Sequence, residues 1–218
     1  MLKNNKMKKN IIISILILFV FNLNFGQIDR SKQPDSGPDP EIKFGTPKTF
    51  KLKNGIQVLV VEDDKLPVVT YSLSIDRNPI FDGEKVGVSS ILSAMLGNGT
   101  TSIPKDDFNE EVEFLGASIS VTFGGGSANT LTKNNARVLE LWSDAIINPL
   151  LTEEEFDKEK TKLLESLKSD VNNIDAISSR VSSALSYGKN HPYGEFTTEQ
   201  SLKNVEFSDV IEYHSKYN

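Results

Sequence analysis

The chain has no cysteine, two histidines and one tryptophan among its 218 residues. The missing cysteine removes disulfide scaffolds, thiolate zinc sites, iron–sulfur clusters and cysteine nucleophiles together. The shortage of histidine means that any chemistry needing two imidazoles has to use both His191 and His214. Basic residues are outnumbered, with 24 Lys and Arg against 30 Asp and Glu and a formal net charge of −6. A general nucleic-acid binder needs a basic face to displace counterions from phosphates, and this balance argues against one. The longest largely apolar run, residues 11–21, is too short to cross a bilayer as a stable helix. What remains is a globular composition, 38% hydrophobic and 25% charged, at a length that supports one domain with a sizeable core.

Lys3, Lys6, Lys8 and Lys9 precede that apolar run, and small Gly26 follows it. A basic leader, a short apolar stretch and a small residue form the pattern of a secretory signal peptide, so residues 1–26 are expected to be removed. The cut takes away four lysines and no acid, leaving an expected mature charge of −10. No cysteine is available for a lipid anchor and no stable membrane span is expected after cleavage, so the chain is read as exported, periplasmic or secreted. Residues 27–47 carry Pro34, Gly37, Pro38, Pro40 and Pro47, a density of breakers that predicts a surface linker or arm. The folded module is expected over residues 48–218. Its last pattern, around Tyr213, His214 and Tyr217, has no stop signal, which predicts continuation past Asn218.

Within the module, Asn54-Gly55 between apolar alternations predicts a hairpin. Val69, Tyr71, Leu73 and Ile75 alternate with polar residues and predict a half-buried strand. Val88, Ile91, Leu92, Met95 and Leu96 form a helical stripe closed by Gly97, and a second helix is expected from Pro104 with Phe108, Val112 and Leu115 buried. Ile119, Val121 and Phe123 read as a strand, Gly124-Gly125-Gly126 as a flexible hairpin tip, and Ala128 to Leu131 as the return strand. A helix through Val138, Leu141, Trp142, Ala145 and Ile146 ends at Asn148-Pro149. Thr152 to Glu155 reads as a capping box opening a helix with Phe156, Leu163, Leu164 and Leu167 on one side. Its charges form a solvated face with a Glu154–Lys158 pair and a repulsive Glu155–Glu159 pair. Ile177, Val181, Ala184 and Leu185 mark a helix stopping at Gly188, and Ser208 is expected to cap the last one. The fold class is therefore α+β, an antiparallel-rich mixed sheet packed against helices.

Leu52-Lys53-Asn54-Gly55-Ile56-Gln57-Val58 opens a longer ordered series of short motifs. It continues through the Gly87 helix with Met95-Leu96, then Gly99-Thr100, Leu115-Gly116-Ala117, Asn148-Pro149, the helix with Phe156 and Glu159-Lys160, and His191-Pro192-Tyr193-Gly194. In order and spacing, residues 48–218 resemble the insulinase-like and mitochondrial-processing-peptidase-like zinc peptidases, peptidase family M16. The resemblance implies their metallohydrolase fold, shared with LuxS and the processing peptidases. Active relatives carry His-x-x-Glu-His on the first helix. Two imidazoles four residues apart share a helix face and one zinc, and the glutamate serves the metal-bound water as general base. The matching positions here are Ser90, Ser93 and Ala94. The third ligand of active relatives, a glutamate in the capped helix, falls on Ser166, with Glu165 one residue and about 100° away around the helix.

Neutral hydroxyls neither hold Zn²⁺ against water nor take a proton from it, so neither a metal site nor a cofactor is expected in this module. Zinc is expected only in a catalytic partner or a downstream module. His191, before a proline in a turn, reads as a loop anchor, and His214 as a packed or surface residue. Ser89, Ser90 and Ser93 lack the Gly-x-Ser-x-Gly elbow of a nucleophile and read as the polar side of an amphipathic helix. The glycine triplet lacks the Lys-Ser/Thr ending of a phosphate loop.

Two functions follow. In one, which the resemblance implies, a non-catalytic M16-like subunit pairs, as a hetero-oligomer, with a catalytic zinc-peptidase homologue and binds unfolded peptide along a sheet edge. In the other, the chain is the N-terminal module of a longer exported zinc metallopeptidase whose active site lies beyond residue 218. A downstream His-x-x-Glu-His motif discriminates between them.

Overall fold

The computed structural model describes Gly37 and residues 46–217. The expected signal peptide and nearly all of the expected linker lie outside the described residues. Two compact units divide between Glu62 and Asp63.

The first unit contains an antiparallel ribbon of β1 (Lys48–Lys51) and β2 (Gln57–Val60), in register Phe50 to Val58. The Asn54 side-chain oxygen accepts the Ile56 N–H at 3.3 Å and sets the turn, as the Asn-Gly pair predicts. Phe50, Leu52, Ile56 and Leu59 are exposed.

The second unit is α+β. Its sheet has three strands, β3 (Val68–Ser74), β4 (Ser118–Thr122) and β5 (Gly125–Leu131), with β5 in the centre and antiparallel to both neighbours. Tyr71, Ala128 and Ile119 lie opposite one another across the sheet, on the face that joins the core. Seven helices accompany it among the described residues: α1 (Val88–Met95), α2 (Lys105–Phe114), α3 (Asn135–Ile147), α4 (Glu153–Ser169), α5 (Ile174–Tyr187), α6 (Glu199–Asn204) and α7 (Phe207–Tyr217). None of them is long and apolar enough to cross a membrane.

Helix α1 is the centre of the core. Val88, Ile91, Leu92 and Met95 are all buried, and each such side chain contributes roughly 1.5–3 kcal/mol of transfer free energy. This eight-residue helix packs against α4, α7 and β4. Helix α3 lies on the sheet through Val138, Leu141, Trp142 and Ala145, and Trp142 Nε1 donates to the Ser120 carbonyl at 3.2 Å.

Several local expectations are corrected. The glycine triplet is not a flexible tip, because β5 begins at Gly125 and only Phe123 and Gly124 turn the chain. Gly125 and Gly126 are pressed against carbonyls, so a Cβ on the first would strike Leu73 O and one on the second Ser120 O. Absence of a side chain, and not mobility, is what these positions require.

The Thr152 cap is one-sided: its Oγ1 accepts the Glu155 N–H at 3.3 Å, but the Glu155 carboxylate reaches Lys105 at 2.9 Å instead of returning to the cap. Lys158 pairs with Glu155 at 3.3 Å, not with Glu154. Ser208 lies inside α7, and the start of that helix is closed by Asp209, whose carboxylate accepts the Glu206 N–H at 2.8 Å. Helix α5 forms and stops at Gly188 as expected, yet Ile174, Ile177, Val181 and Leu185 remain exposed. Helix α6, opened by a reciprocal Thr198–Ser201 capping box and buried through Leu202, has no counterpart in the sequence expectations.

Candidate functional site: a metal-motif cavity without ligands

The apolar stripe of α1 faces the core, so its other stripe presents Ser90, Ser93 and Ala94 together. Ser90 is exposed and the other two are half-buried. The three border one open depression of about 620 Å³, with Arg77 and Phe123 on its far side. Ser93 is not simply solvent-facing, because its Oγ accepts the Phe123 N–H at 3.1 Å.

Packing of α4 against α1 brings the fourth position in. Ser90 and Ser166 line a cavity of about 220 Å³, whose walls include Leu163, Leu167 and Leu202. Arg180 from α5 and Thr197 complete it. The four positions named from sequence thus adjoin one another through Ser90, although Ser166 lies more than seventy residues along the chain from the other three. Glu165 is exposed and does not line this cavity.

The donor set does not fit zinc. Two aliphatic hydroxyls and a methyl stand where imidazoles and a carboxylate are needed, and the third hydroxyl is held by a backbone N–H. Arg180 adds a fixed positive charge to the cavity, which opposes a divalent cation. Among the described residues, no group of three His, Asp or Glu side chains gathers in a way that holds a metal ion. No His, Asp or Glu side chain among the described residues lines the cavity that Ser90 and Ser166 share.

The histidines lie elsewhere. His191 Nδ1 accepts the Tyr193 N–H at 3.1 Å, and its ring stacks on Tyr187 with centroids 5.5 Å apart, so it pins the turn after α5. His214 is half-buried on α7, with Nε2 buried and without a hydrogen-bond partner among the described residues.

A second polar cluster escaped the sequence reading. Tyr213 Oη donates to Asp82 Oδ1 at 2.9 Å, while Glu195 accepts the N–H groups of Asp82 and Gly83 at 3.0 and 2.9 Å. Burial pushes the Asp82 carboxyl above its ordinary range, the Tyr213 bond pulls it back, and the Glu195 charge adds to the rise. Burial likewise raises the Tyr213 hydroxyl, followed by its bond to Asp82. These partners stand over a hundred residues apart, so no local pattern announces them. Arg180 was passed over because the α5 sequence is dominated by its apolar stripe.

The model of the insulinase family, peptidase family M16, matches residues 57–191. The β subunit of the mitochondrial processing peptidase of Rattus norvegicus is 23% identical over 192 residues, covering 85% of this chain and 39% of that protein. The Homo sapiens β subunit is 25% identical over 199 residues, covering 88% and 40%. The chain therefore spans about two fifths of the length of these relatives. Among solved structures, a peptidase M16 inactive domain from Pseudomonas fluorescens superposes with a TM-score of 0.70 at 20% identity, covering 78% of this chain and 43% of that one. A protease from Helicobacter pylori gives 0.63 at 23% identity, covering 80% and 44%. With a family model that matches well over half of its length, this chain belongs to the insulinase family, peptidase family M16.

Proposed function

We propose that this chain is a non-catalytic M16 subunit that holds unfolded peptide and pairs with a catalytic homologue. One observation carries the reading: the motif positions border two adjoining depressions that share Ser90, one with Ser93 and Ala94 and the other with Ser166, and an arginine, Arg180, lines the second. The scaffold of a peptidase site is kept and its reagents are gone. Support for pairing comes from the mitochondrial relatives, each a processing-peptidase β subunit, and support for a non-catalytic role from the neighbour described as an inactive M16 domain. For peptide, β3 and β4 offer outer edges that pair with no other strand among the described residues, a mode of recognition that tolerates many sequences. Export is part of the proposal and rests on the basic and apolar leader.

The test mixes the purified chain with a labelled unstructured peptide, alone and together with an active M16 relative carrying His-x-x-Glu-His. The chain alone should bind without cutting, and mixing should change the turnover or affinity of the active relative. Chelator-sensitive cleavage by the chain alone overturns the reading. A second reading, favoured by the chain's covering about two fifths of its relatives, places a zinc peptidase site in a further module. A downstream His-x-x-Glu-His in the reading frame, with cleavage by the longer product, decides for it.

A further inference from the structure

The cavity at the lost metal motif is furnished for an anion. Arg180 reaches it from α5, half-buried, and its one charged contact among the described residues is Asp170, with Nη2 and Oδ2 3.7 Å apart. That separation exceeds hydrogen-bond length, so the five N–H donors of the guanidinium are not consumed by it. Three hydroxyls line the same space, those of Ser90, Ser166 and Thr197, and none has a side-chain hydrogen-bond partner among the described residues. Leu163, Leu167 and Leu202 supply an apolar wall on one side, which lowers the local polarity beside the guanidinium and strengthens a charge-assisted bond there. The volume of about 220 Å³ is several times the ~30 Å³ share of one water and takes a carboxylate on a short alkyl stem.

We propose that this cavity binds a carboxylate, with the Arg180 guanidinium as its anchor and the Ser90, Ser166 and Thr197 hydroxyls as neutral donors. Where active relatives present a cation that polarises a peptide, this chain presents one that holds an acid. The fork of arginine matches the two oxygens of a carboxylate, a geometry that lysine does not reproduce. The chain carries a net charge of −6, which repels anions at long range, so selection has to occur at contact. The use of the site in peptide selection rests on the peptide-holding reading. The carboxylate is either an acidic side chain or a peptide C-terminus, and the two present the same group.

Two measurements separate the possibilities. In the first, the chain, labelled with ¹⁵N and containing four arginines, is titrated with propionate and with neutral propionamide while the Arg Nε–H resonances are followed. Propionate should shift the resonance that Arg180→Gln removes, and propionamide should leave it still. No shift with propionate overturns the site. In the second, anisotropy compares three labelled unstructured peptides: an internal Glu with an amidated terminus, Gln with an amidated terminus, and Gln with a free terminus.

One acidic form should bind about tenfold tighter than the neutral peptide, as a charged hydrogen bond lost from a partly buried site requires. Whichever acid is preferred identifies the source of the carboxylate. Arg180→Gln should erase the preference while leaving the affinity for the neutral peptide, and Arg180→Lys should restore part of it. Peptide binding with no acid preference, or a preference that survives Arg180→Gln, overturns the proposal and leaves the peptide-holding reading intact. A propionate shift without binding of any peptide does the reverse.

Discussion

Arg77 lies over the ring of Phe123, with Cζ 3.5 Å from the ring centroid, and its Nη2 donates to the carbonyl of that same residue. One side chain thus holds both the ring and the carbonyl of a residue in the turn between β4 and β5, and its Nη1 also donates to the Tyr217 carbonyl at 2.9 Å at the end of α7. Arg77→Ala removes a cation–π contact and two charged hydrogen bonds and should cost about 2–3 kcal/mol in denaturant unfolding. Arg77→Lys should recover only the monopolar part. An unchanged midpoint for both variants would show that the turn is held by its backbone alone.

The two glycines at the start of β5 give a sharper contrast with their neighbour. Gly126→Ala places a methyl against the Ser120 carbonyl, while a Cβ at Gly124 meets nothing within 4 Å. The first substitution should destabilise by roughly 2–4 kcal/mol and the second by under about 1 kcal/mol. Thermal unfolding of the pair measures the difference, and equal melting temperatures contradict the close approach described above.

Asp82 sets a pH dependence of one sign. Its raised pKa means that the folded chain keeps this proton to higher pH than the unfolded chain does. Stability linked to it is fully present below the unfolded value of ~3.9 and is lost as pH rises through the folded value. Asp82→Asn removes the titration and keeps an acceptor for Tyr213, so its effect on stability should become more favourable from about pH 4 to about pH 7. Urea unfolding at both values checks it, and the opposite slope counts against a buried carboxylate.

Glu155 has the other sign. The Lys105 bond holds its carboxyl below the ordinary range, so its contribution exists above the unfolded value of ~4.3 and disappears as pH falls through the folded value. Glu155→Gln should cost about 0.5–1 kcal/mol at neutral pH and nothing in strong acid. A cost that persists unchanged below both values would assign the effect to packing.

The metal motif can be rebuilt to test the cavity itself. Ser90→His, Ala94→His and Ser166→Glu restore two imidazoles four residues apart and a carboxylate on the helix that shares their space. Combined with Arg180→Gln, which removes the opposing charge, they should confer one equivalent of zinc by calorimetry, while the unsubstituted chain retains none through dialysis. Failure of the rebuilt chain to bind, with its fold intact, would mean that α1 and α4 no longer stand at the ligating distance.

The stripes of α1 and α3 were readable because Val88, Ile91, Leu92 and Met95 on one and Val138, Leu141, Trp142 and Ala145 on the other recur at helical spacing and are buried, while Leu139 and Ile147, also on α3, stay exposed. The glycine triplet was misread for the converse reason. Glycine in sequence signals a turn, but what fixes Gly125 and Gly126 is the approach of Leu73 and Ser120, which lie on other strands. The meeting of Ser90 with Ser166 was visible only through the family resemblance, since serines on two helices carry no pattern of their own. Arg180 and the Asp82–Tyr213–Glu195 cluster depend wholly on tertiary packing. Helix α6, six residues with Leu202 buried, is too short for periodicity to reveal.

Trp142 is the sole tryptophan, nearly enclosed at 6% exposure, with its indole N–H tied to β4 and its ring 5.9 Å from Tyr71 on β3. The molecule therefore carries a built-in optical reporter whose field of view is narrow. Emission excited at the red edge of the indole band follows the three-stranded sheet and α3. Fluorescence and circular dichroism recorded on one denaturation series will coincide only if the sheet around the indole melts together with the helices, so the position of a single indole turns an ordinary unfolding curve into a measure of cooperativity within this unit.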